Sequence, residues 1–144
     1  MPIYLAAIVI FLLDRLTKIA VMKYMLLGES IPLFPKIFHL TYIHNQGVAF
    51  GMLSSYSKVL TGVSLILIVT IIFFQKQLVG GDCWRRIALG LILGGAAGNF
   101  FDRLIYGSVI DFLDFRVWPV FNLADSAISI GIFFLIFKFN VKKI

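Results

Sequence analysis

The sequence contains few of the residues that build disulfide frameworks, metal sites or water-exposed surfaces. Its single cysteine, Cys83, cannot form an internal disulfide. The two histidines, His39 and His44, show no metal-ligand spacing with cysteine, so we interpret them as structural or surface residues and expect no metal site. Charged residues make up only 14% of the chain, against about 25% in average proteins. This shortage of charge excludes an ordinary soluble domain.

Apolar residues take the place of the missing charge. Hydrophobic residues form 60% of the chain, and the mean hydropathy is +0.99. A helix needs about 20 apolar residues to cross the roughly 30 Å of hydrocarbon in a bilayer. The length of 144 residues therefore predicts one membrane-embedded domain, residues 1–144, made of a few spanning helices.

Four apolar segments are long enough, or nearly so, to span a membrane as helices. The N-terminal segment has no lysine or arginine before Asp14 and no small-residue cleavage site after it, so we interpret it as a retained span rather than a signal peptide. The fold class predicted is an all-α integral membrane protein with four transmembrane helices. The predicted spans cover about residues 3–22, 59–74, 87–106 and 121–139.

The distribution of basic residues predicts the orientation of these spans. The linker 75–86 carries three basic residues, and the C-terminal tail carries three lysines. By the positive-inside rule this linker and both termini lie in the cytoplasm. The linkers 23–58 and 107–119 then lie outside. The net charge of +6 is explained by this topology, and we expect no nucleic-acid partner.

The long outer loop 23–58 contains a strand-like pattern. In "FHLTYIH", from Phe38 to His44, apolar and polar residues alternate except at Ile43, as in a half-buried strand. We therefore expect a small β-rich extracytoplasmic region between the first and second helices, resting on the membrane surface.

Polar residues from separate segments meet at one depth of the predicted bundle. The third helix runs outward and the fourth runs inward, so their outer ends share a level. Ionisable residues inside a membrane are costly and usually face a partner or a cavity. The converging residues are Asn99, Asp102 and Arg103 on the third helix, Asn122, Asp125, Ser126 and Ser129 on one face of the fourth, Asp14 on the first, and Asn45 and Asp111 on the outer linkers.

Two of these acids have a cationic neighbour in the sequence. Asp14 lies four residues before Lys18 on the same helical face, and Asp102 directly precedes Arg103, which could pair with it or reach another acid. A paired carboxylate suits a supporting or positioning role. Asn99 and Arg103 also share a face and could hold the backbone of the outer linker.

Asp111 and Asp125 have no basic residue within four positions. If their carboxyl groups face each other, they share one proton, as in aspartic proteases. Proton-coupled transport uses similar carboxylates and is an alternative. Asp114, by contrast, is expected to face Arg116 and open solvent.

A second alternative is a structural subunit. The ladder Gly90, Gly94 and Gly98 would let another helix approach the third helix closely. We interpret this ladder as packing within the bundle, because a purely structural subunit would leave the convergent acids unexplained.

Five sequence blocks resemble the motifs of the bacterial lipoprotein signal peptidases, also called signal peptidase II. Together they cover nearly the whole chain in the expected order, which makes the resemblance specific. The blocks are "DRLTK" (Asp14 to Lys18), "HNQGVAFGML" (His44 to Leu53), "GNFFDR" (Gly98 to Arg103), "VIDF" (Val109 to Phe112) and "FNLADSAISIG" (Phe121 to Gly131).

This resemblance implies an intramembrane aspartic endopeptidase of the bacterial cytoplasmic (inner) membrane, with its active site near the outer leaflet. It would remove signal peptides from diacylglyceryl-modified prolipoproteins just before the lipidated cysteine, with Asp111 and Asp125 as the catalytic, water-activating pair. Globomycin-type cyclic peptides would inhibit it, membrane lipids would surround it, and it would act as a monomer. The supporting or substrate-contacting positions implied are Asp14, Lys18, Asn45, Gly47, Asn99, Asp102, Arg103, Asn122 and Ala124.

Overall fold

The computed structural model describes residues 2–47, 54–80 and 82–141, which form four helices and three strands. Each of the four predicted spans coincides with one helix, and the last begins two residues before its helix does. The elements in chain order are α1 (Pro2–Tyr24), β1 (Ser30–Phe34), β2 (Phe38–Asn45), α2 (Ser54–Val79), α3 (Cys83–Tyr106), β3 (Val109–Asp114) and α4 (Leu123–Val141).

Helix α3 forms the centre of the bundle because small residues let its neighbours approach closely. A Cβ atom added to Gly94 would lie 2.5 Å from the carbonyl oxygen of Ala7 in α1, and one added to Gly95 would lie 2.5 Å from that of Ala124 in α4. Neither position therefore has room for a larger residue. The prediction that the glycine ladder packs within the bundle is confirmed.

The outward faces of the helices are apolar. Leu5 and Leu16 on α1, Ile66 on α2 and Phe133 on α4 each expose more than 60% of their surface, which suits contact with lipid tails rather than water. By length and composition, Ser57–Val79 and Cys83–Tyr106 could cross a membrane.

The other two helices are less apolar or shorter. Helix α1 contains Asp14, Arg15 and Lys18, which lower its mean hydropathy even though two of these side chains are fully buried. The apolar part of α4, Leu123–Phe137, is short for a span. The charged residues of α1 that lie inside the bundle therefore lower the mean hydropathy of a helix whose exposed residues are mostly apolar.

The three strands form one antiparallel sheet in the order β1-β2-β3. The predicted strand in the first outer loop is confirmed as β2. The predicted β-rich region between the first two helices is only part of the sheet, because the third strand, β3, comes from the linker between α3 and α4 and was not predicted. Nearly all of β3 is buried, and a strand buried on both faces lacks the alternating pattern that marks a half-buried strand.

The passage from α3 into β3 fixes the position of Asp111. Gly107 ends α3 in the left-handed conformation (φ 68°), and its N–H donates to the carbonyl of Arg103 at 3.1 Å. In the sheet, Asp111 lies opposite Ile43, beside an irregularity in the register between Leu40 and Ile43. Such bulges reorient the side chains next to them.

Candidate active site

Two carboxylates, those of Asp14 and Asp125, accept hydrogen bonds at the N-terminus of α4. The side-chain oxygen of Asn122 accepts the backbone N–H of Asp125 at 2.9 Å, and a carboxylate oxygen of Asp125 accepts the N–H of Asn122 at 3.3 Å, a reciprocal capping box. The N–H of Ala124 donates to Oδ1 of Asp14 at 3.1 Å. The positive end of the helix dipole favours negative groups here, so two acids from different helices meet at one helix end.

Asp111 and Asp125 lie on either side of Asn122. The amide nitrogen of Asn122 donates to Oδ1 of Asp111 at 2.7 Å, while its backbone N–H donates to Asp125. Asn45 donates to Oδ2 of Asp111 at 2.8 Å, and Asn99 donates to Oδ1 of Asp125 at 2.7 Å. Three asparagines from α3, β2 and the start of α4 therefore hold the two carboxylates without any direct cation contact among the described residues.

The two carboxylates differ in exposure but interact electrostatically. Asp111 is only 2% exposed. Its burial, together with the nearby charge of Asp125, raises the pKa of Asp111 to about 6, although hydrogen bonds from Asn45 and Asn122 act in the opposite direction. Such a coupled pair retains a proton at a pH where an isolated aspartate is ionised.

Asp125 is the member of the pair that faces open space. It lines a cleft of about 450 Å³ at the N-terminal end of α4. The walls are mostly aromatic or apolar, with two hydroxyl groups. The other lining residues are Phe115, Trp118, Phe121, Ser126, Ser129 and Ile130.

A cluster of buried charges supports this site from α1 and α3. The predicted pair of Asp14 and Lys18 is confirmed at 2.9 Å. Asp102 contacts Lys18 at 2.7 Å and Arg15 at 2.6 Å, so its cationic partners come from α1 and not from Arg103. Two acids and two bases balance within the cluster, as burial requires. Sequence reasoning missed Arg15, although its place in an apolar segment was a signal.

Contrary to our expectation, the side chain of Arg103 makes no hydrogen bond to the linker backbone among the described residues. Its guanidinium donates to the hydroxyl of Ser64 on α2 at 3.2 Å. The strand after α3 is held instead by Asp102, which accepts the N–H of Ile110 at 3.2 Å, and by Asn122, which donates to the carbonyl of Ile110 at 3.3 Å.

The expected pairing of Asp114 with Arg116 is confirmed at 3.0 Å, but its expected exposure to solvent is wrong. Asp114 is 4% exposed and accepts a hydrogen bond from Thr41 of β2 at 2.7 Å. It is part of the sheet and lies outside the carboxylate pair.

Gly47 and Ala124 have backbone roles at the site. Gly47 has a positive φ of 93°, and its N–H donates to Oδ1 of Asn45 at 2.8 Å. This contact fixes the Asn45 amide with its nitrogen toward Asp111. Ala124 is fully buried, and its carbonyl oxygen lies against Gly95 of α3, where an added Cβ would be only 2.5 Å away.

Apolar helices, together with two carboxylates held by asparagines on β3 and at the start of α4, indicate a membrane enzyme. Its fold is similar to two solved structures of a bacterial membrane enzyme obtained by the in meso method, at 2.3 Å and 1.9 Å resolution. The TM-scores are 0.87 and 0.86, both at 29% sequence identity. The alignments cover 96% and 94% of this chain and 87% and 90% of those chains, respectively.

The particular family follows from sequence comparison. Residues 6–141 match the family model described as "Signal peptidase (SPase) II". The chain is 43% identical to the lipoprotein signal peptidase of Moorella thermoacetica, covering 94% of this chain and 90% of that one, and 47% identical to that of Nostoc punctiforme, covering 92% and 85%. The chain belongs to the signal peptidase II family and is therefore a peptidase.

The charge cluster predicts a large stability loss when Asp102 is neutralised. Asp102→Asn leaves Arg15 and Lys18 with one acid, Asp14, and an uncompensated buried charge costs about 3–5 kcal/mol. Thermal unfolding in detergent and the yield of folded protein measure this loss. Asp114→Asn is the control, because its partner Arg116 is 48% exposed and the loss there should be about 1 kcal/mol. Equal small losses would contradict the cluster's role, and a stable but inactive Asp102→Asn would place Asp102 in the reaction.

Proposed function

We propose that this protein removes signal peptides from diacylglyceryl-modified prolipoproteins and cleaves just before the lipidated cysteine. Family membership and the names of its relatives support the substrate class. The single observation that carries the chemistry is the arrangement of Asp111 and Asp125 around Asn122, because that geometry suits two carboxylates with one shared proton.

The proposed topology places all four helices across the bacterial cytoplasmic (inner) membrane, with both termini in the cytoplasm. The exposed apolar faces of the helices and the basic linker between α2 and α3 support this orientation. The sheet and the carboxylate pair then lie at the outer leaflet. A bond between a signal helix and a lipid-anchored cysteine would lie at the same depth.

In the proposed mechanism, the ionised member of the pair takes a proton from a water molecule as the water oxygen attacks the carbonyl carbon of the scissile bond. The protonated member donates a hydrogen bond to the carbonyl oxygen. When the carbon–nitrogen bond breaks, a carboxyl proton passes to the leaving nitrogen, which restores one proton on the pair. The pKa of Asp111, about 6, suits a group that both holds and releases a proton near neutrality.

The remaining residues have supporting roles in this proposal. Asn45, Asn99 and Asn122 hold the two carboxylates, and the buried ions Asp14 and Asp102 hold the helices and β3 that carry them. Gly47 orients Asn45, and Ala124 allows α4 to approach α3.

Arg103 interacts electrostatically with both members of the pair. We assign it the role of balancing the charge that develops on them and on the substrate oxygen during attack. No metal or organic cofactor takes part in this proposal.

The cleft beside Asp125 is the proposed site for an apolar part of the substrate. Its aromatic walls and its opening at the outer end of α4 suit a lipidated chain held at the membrane surface. Globomycin-type cyclic peptides are proposed to compete for this region. The protein is proposed to act as a monomer among membrane lipids, since one chain supplies both carboxylates.

Replacement of either carboxylate should abolish cleavage of a lipidated precursor. Asp111→Asn and Asp125→Asn should each lower kcat by about 10²–10⁴-fold, because neither can share a proton with its neighbour. The assay uses purified protein with a synthetic diacylated precursor and its unlipidated twin, and wild-type protein should cleave only the first. Asp114→Asn should still cleave it. Normal cleavage by both Asn variants would refute the pair, and cleavage of the unlipidated twin would refute the substrate class.

Filling the cleft should weaken substrate binding without removing the chemistry. Ser129→Phe places a ring in the cleft and should raise KM by about 10-fold, because each methylene of the substrate that loses its place in a hydrophobic pocket costs about 1–3 kcal/mol, while kcat changes little. Ile132→Phe, at an exposed position of α4 outside the cleft, is the matched control. An unchanged KM in Ser129→Phe would show that the substrate does not use this cleft.

A further inference from the structure

We propose that Lys18 is a positioning residue for the reaction and acts through the side chain of Asn99. The Nζ atom of Lys18 donates to Oδ1 of Asn99 at 3.1 Å, and Nδ2 of Asn99 donates to Oδ1 of Asp125 at 2.7 Å. Lys18 thereby fixes which end of the Asn99 amide faces Asp125. This inference rests on the proposed role of Asp125 in peptide hydrolysis.

The ammonium group of Lys18 allows only one orientation of the Asn99 side-chain amide. Its side chain is fully buried, and its three N–H groups have three acceptors: Oδ2 of Asp14 at 2.9 Å, Oδ2 of Asp102 at 2.7 Å and Oδ1 of Asn99. An ammonium group donates and never accepts. A reversed Asn99 amide would place its NH₂ group against the ammonium and its oxygen against a carboxylate, so both contacts would become repulsive.

A second donor supports the same orientation more weakly. Nδ2 of Asn122 lies 3.1 Å from Oδ1 of Asn99, but this nitrogen also faces the carbonyl of Ile110 and Oδ1 of Asp111. Its two hydrogens are therefore shared among three acceptors. Lys18 provides the charge-assisted contact, which is the stronger kind.

The contact with Asp111 is built in the same way. Oδ1 of Asn45 accepts the backbone N–H of Gly47, which leaves Nδ2 of Asn45 for Asp111. Each carboxylate therefore receives the amino group of an asparagine whose oxygen is held by a group that can only donate. For Asp125 that group is Lys18. The side-chain amide of Asn99 lies between the Lys18 ammonium and the Asp125 carboxylate, so the two charged groups are not in direct contact.

The test compares two neutral double variants. Lys18→Met with Asp14→Asn removes the donor to Asn99, whereas Arg15→Met with Asp14→Asn keeps it, and each removes one acid and one base from the buried cluster. The first should lower kcat by about 10-fold or more on the diacylated precursor with KM within about 2-fold, since the change misplaces Asp125, which takes part in the proton transfers. The second loses the same number of charges but keeps the donor to Asn99, so its kcat should stay at least about 5-fold above that of the first.

A double-mutant cycle with Asn99→Ala separates positioning from a structural or direct electrostatic role. If Lys18 acts through Asn99, the Lys18→Met, Asp14→Asn change should lower kcat by less than about 2-fold further once Asn99 is alanine. If the two losses multiply instead, Lys18 acts on Asp125 directly or only on the fold, and the inference is overturned.

Asn99→Leu covers the case in which the double variant does not fold. Its neutral side chain leaves the two acids and two bases of the buried cluster balanced, but it offers Asp125 no donor. The kcat should fall at least as far as in Asn99→Ala, and full activity would overturn the inference. All comparisons are made relative to active wild-type protein, whereas wild-type protein that fails to cleave the precursor would refute the proposed function itself.

Discussion

The ion pairs that Asp102 of α3 makes with Arg15 and Lys18 of α1 are the interaction on which the rest of the structure depends. Because these groups are shielded from water, their charges must balance and their hydrogen-bonding atoms must find partners inside the protein. The partners found come from four of the elements around the site. Asp102 also accepts the N–H of Ile110 in β3, and Asp14 accepts the N–H of Ala124 at the start of α4. One charge cluster therefore ties α1, α3, β3 and α4 together at one depth.

The carboxylate pair is surrounded by asparagines, whereas the cations lie in the neighbouring charge cluster. A lysine in direct contact with Asp111 or Asp125 would hold that carboxylate ionised and prevent it from sharing a proton. An amide group between cation and carboxylate still donates a hydrogen bond but brings no formal charge. Asp111, which receives only amide donors among the described residues, has a pKa raised to about 6. The asparagines therefore hold the two carboxylates by hydrogen bonds without adding a charge.

The helices and most of the site could be predicted from the sequence because their signals are local. Apolar length predicted the spans, and helical spacing predicted the pair of Asp14 and Lys18. Other features could not be predicted, since they depend on contacts between distant segments. Strand β3 has no alternating pattern, because its two faces meet different parts of the protein. Asp114 is buried by pairing with β2, which its local sequence does not reveal.

The partners of Asp102 could not be predicted from the residues next to it in the sequence. Its neighbour Arg103 points toward Ser64 on α2, and its actual partners lie more than eighty residues earlier in the chain. The role of Gly47 in orienting Asn45 likewise depends on a turn conformation that the residue types only permit. The resemblance to signal peptidase II identified these positions but gave none of their contacts.

Infrared titration of the buried carboxyl group tests most directly whether Asp111 and Asp125 act as one pair. The protonated carboxyl band that disappears in Asp111→Asn is assigned to Asp111, and its intensity in the wild-type protein should fall with a midpoint near pH 6. In Asp125→Asn the midpoint should move to lower pH, because one cause of the raised pKa of Asp111 has been removed. A midpoint that does not move would show that the two carboxyl groups do not interact, which would contradict a shared proton.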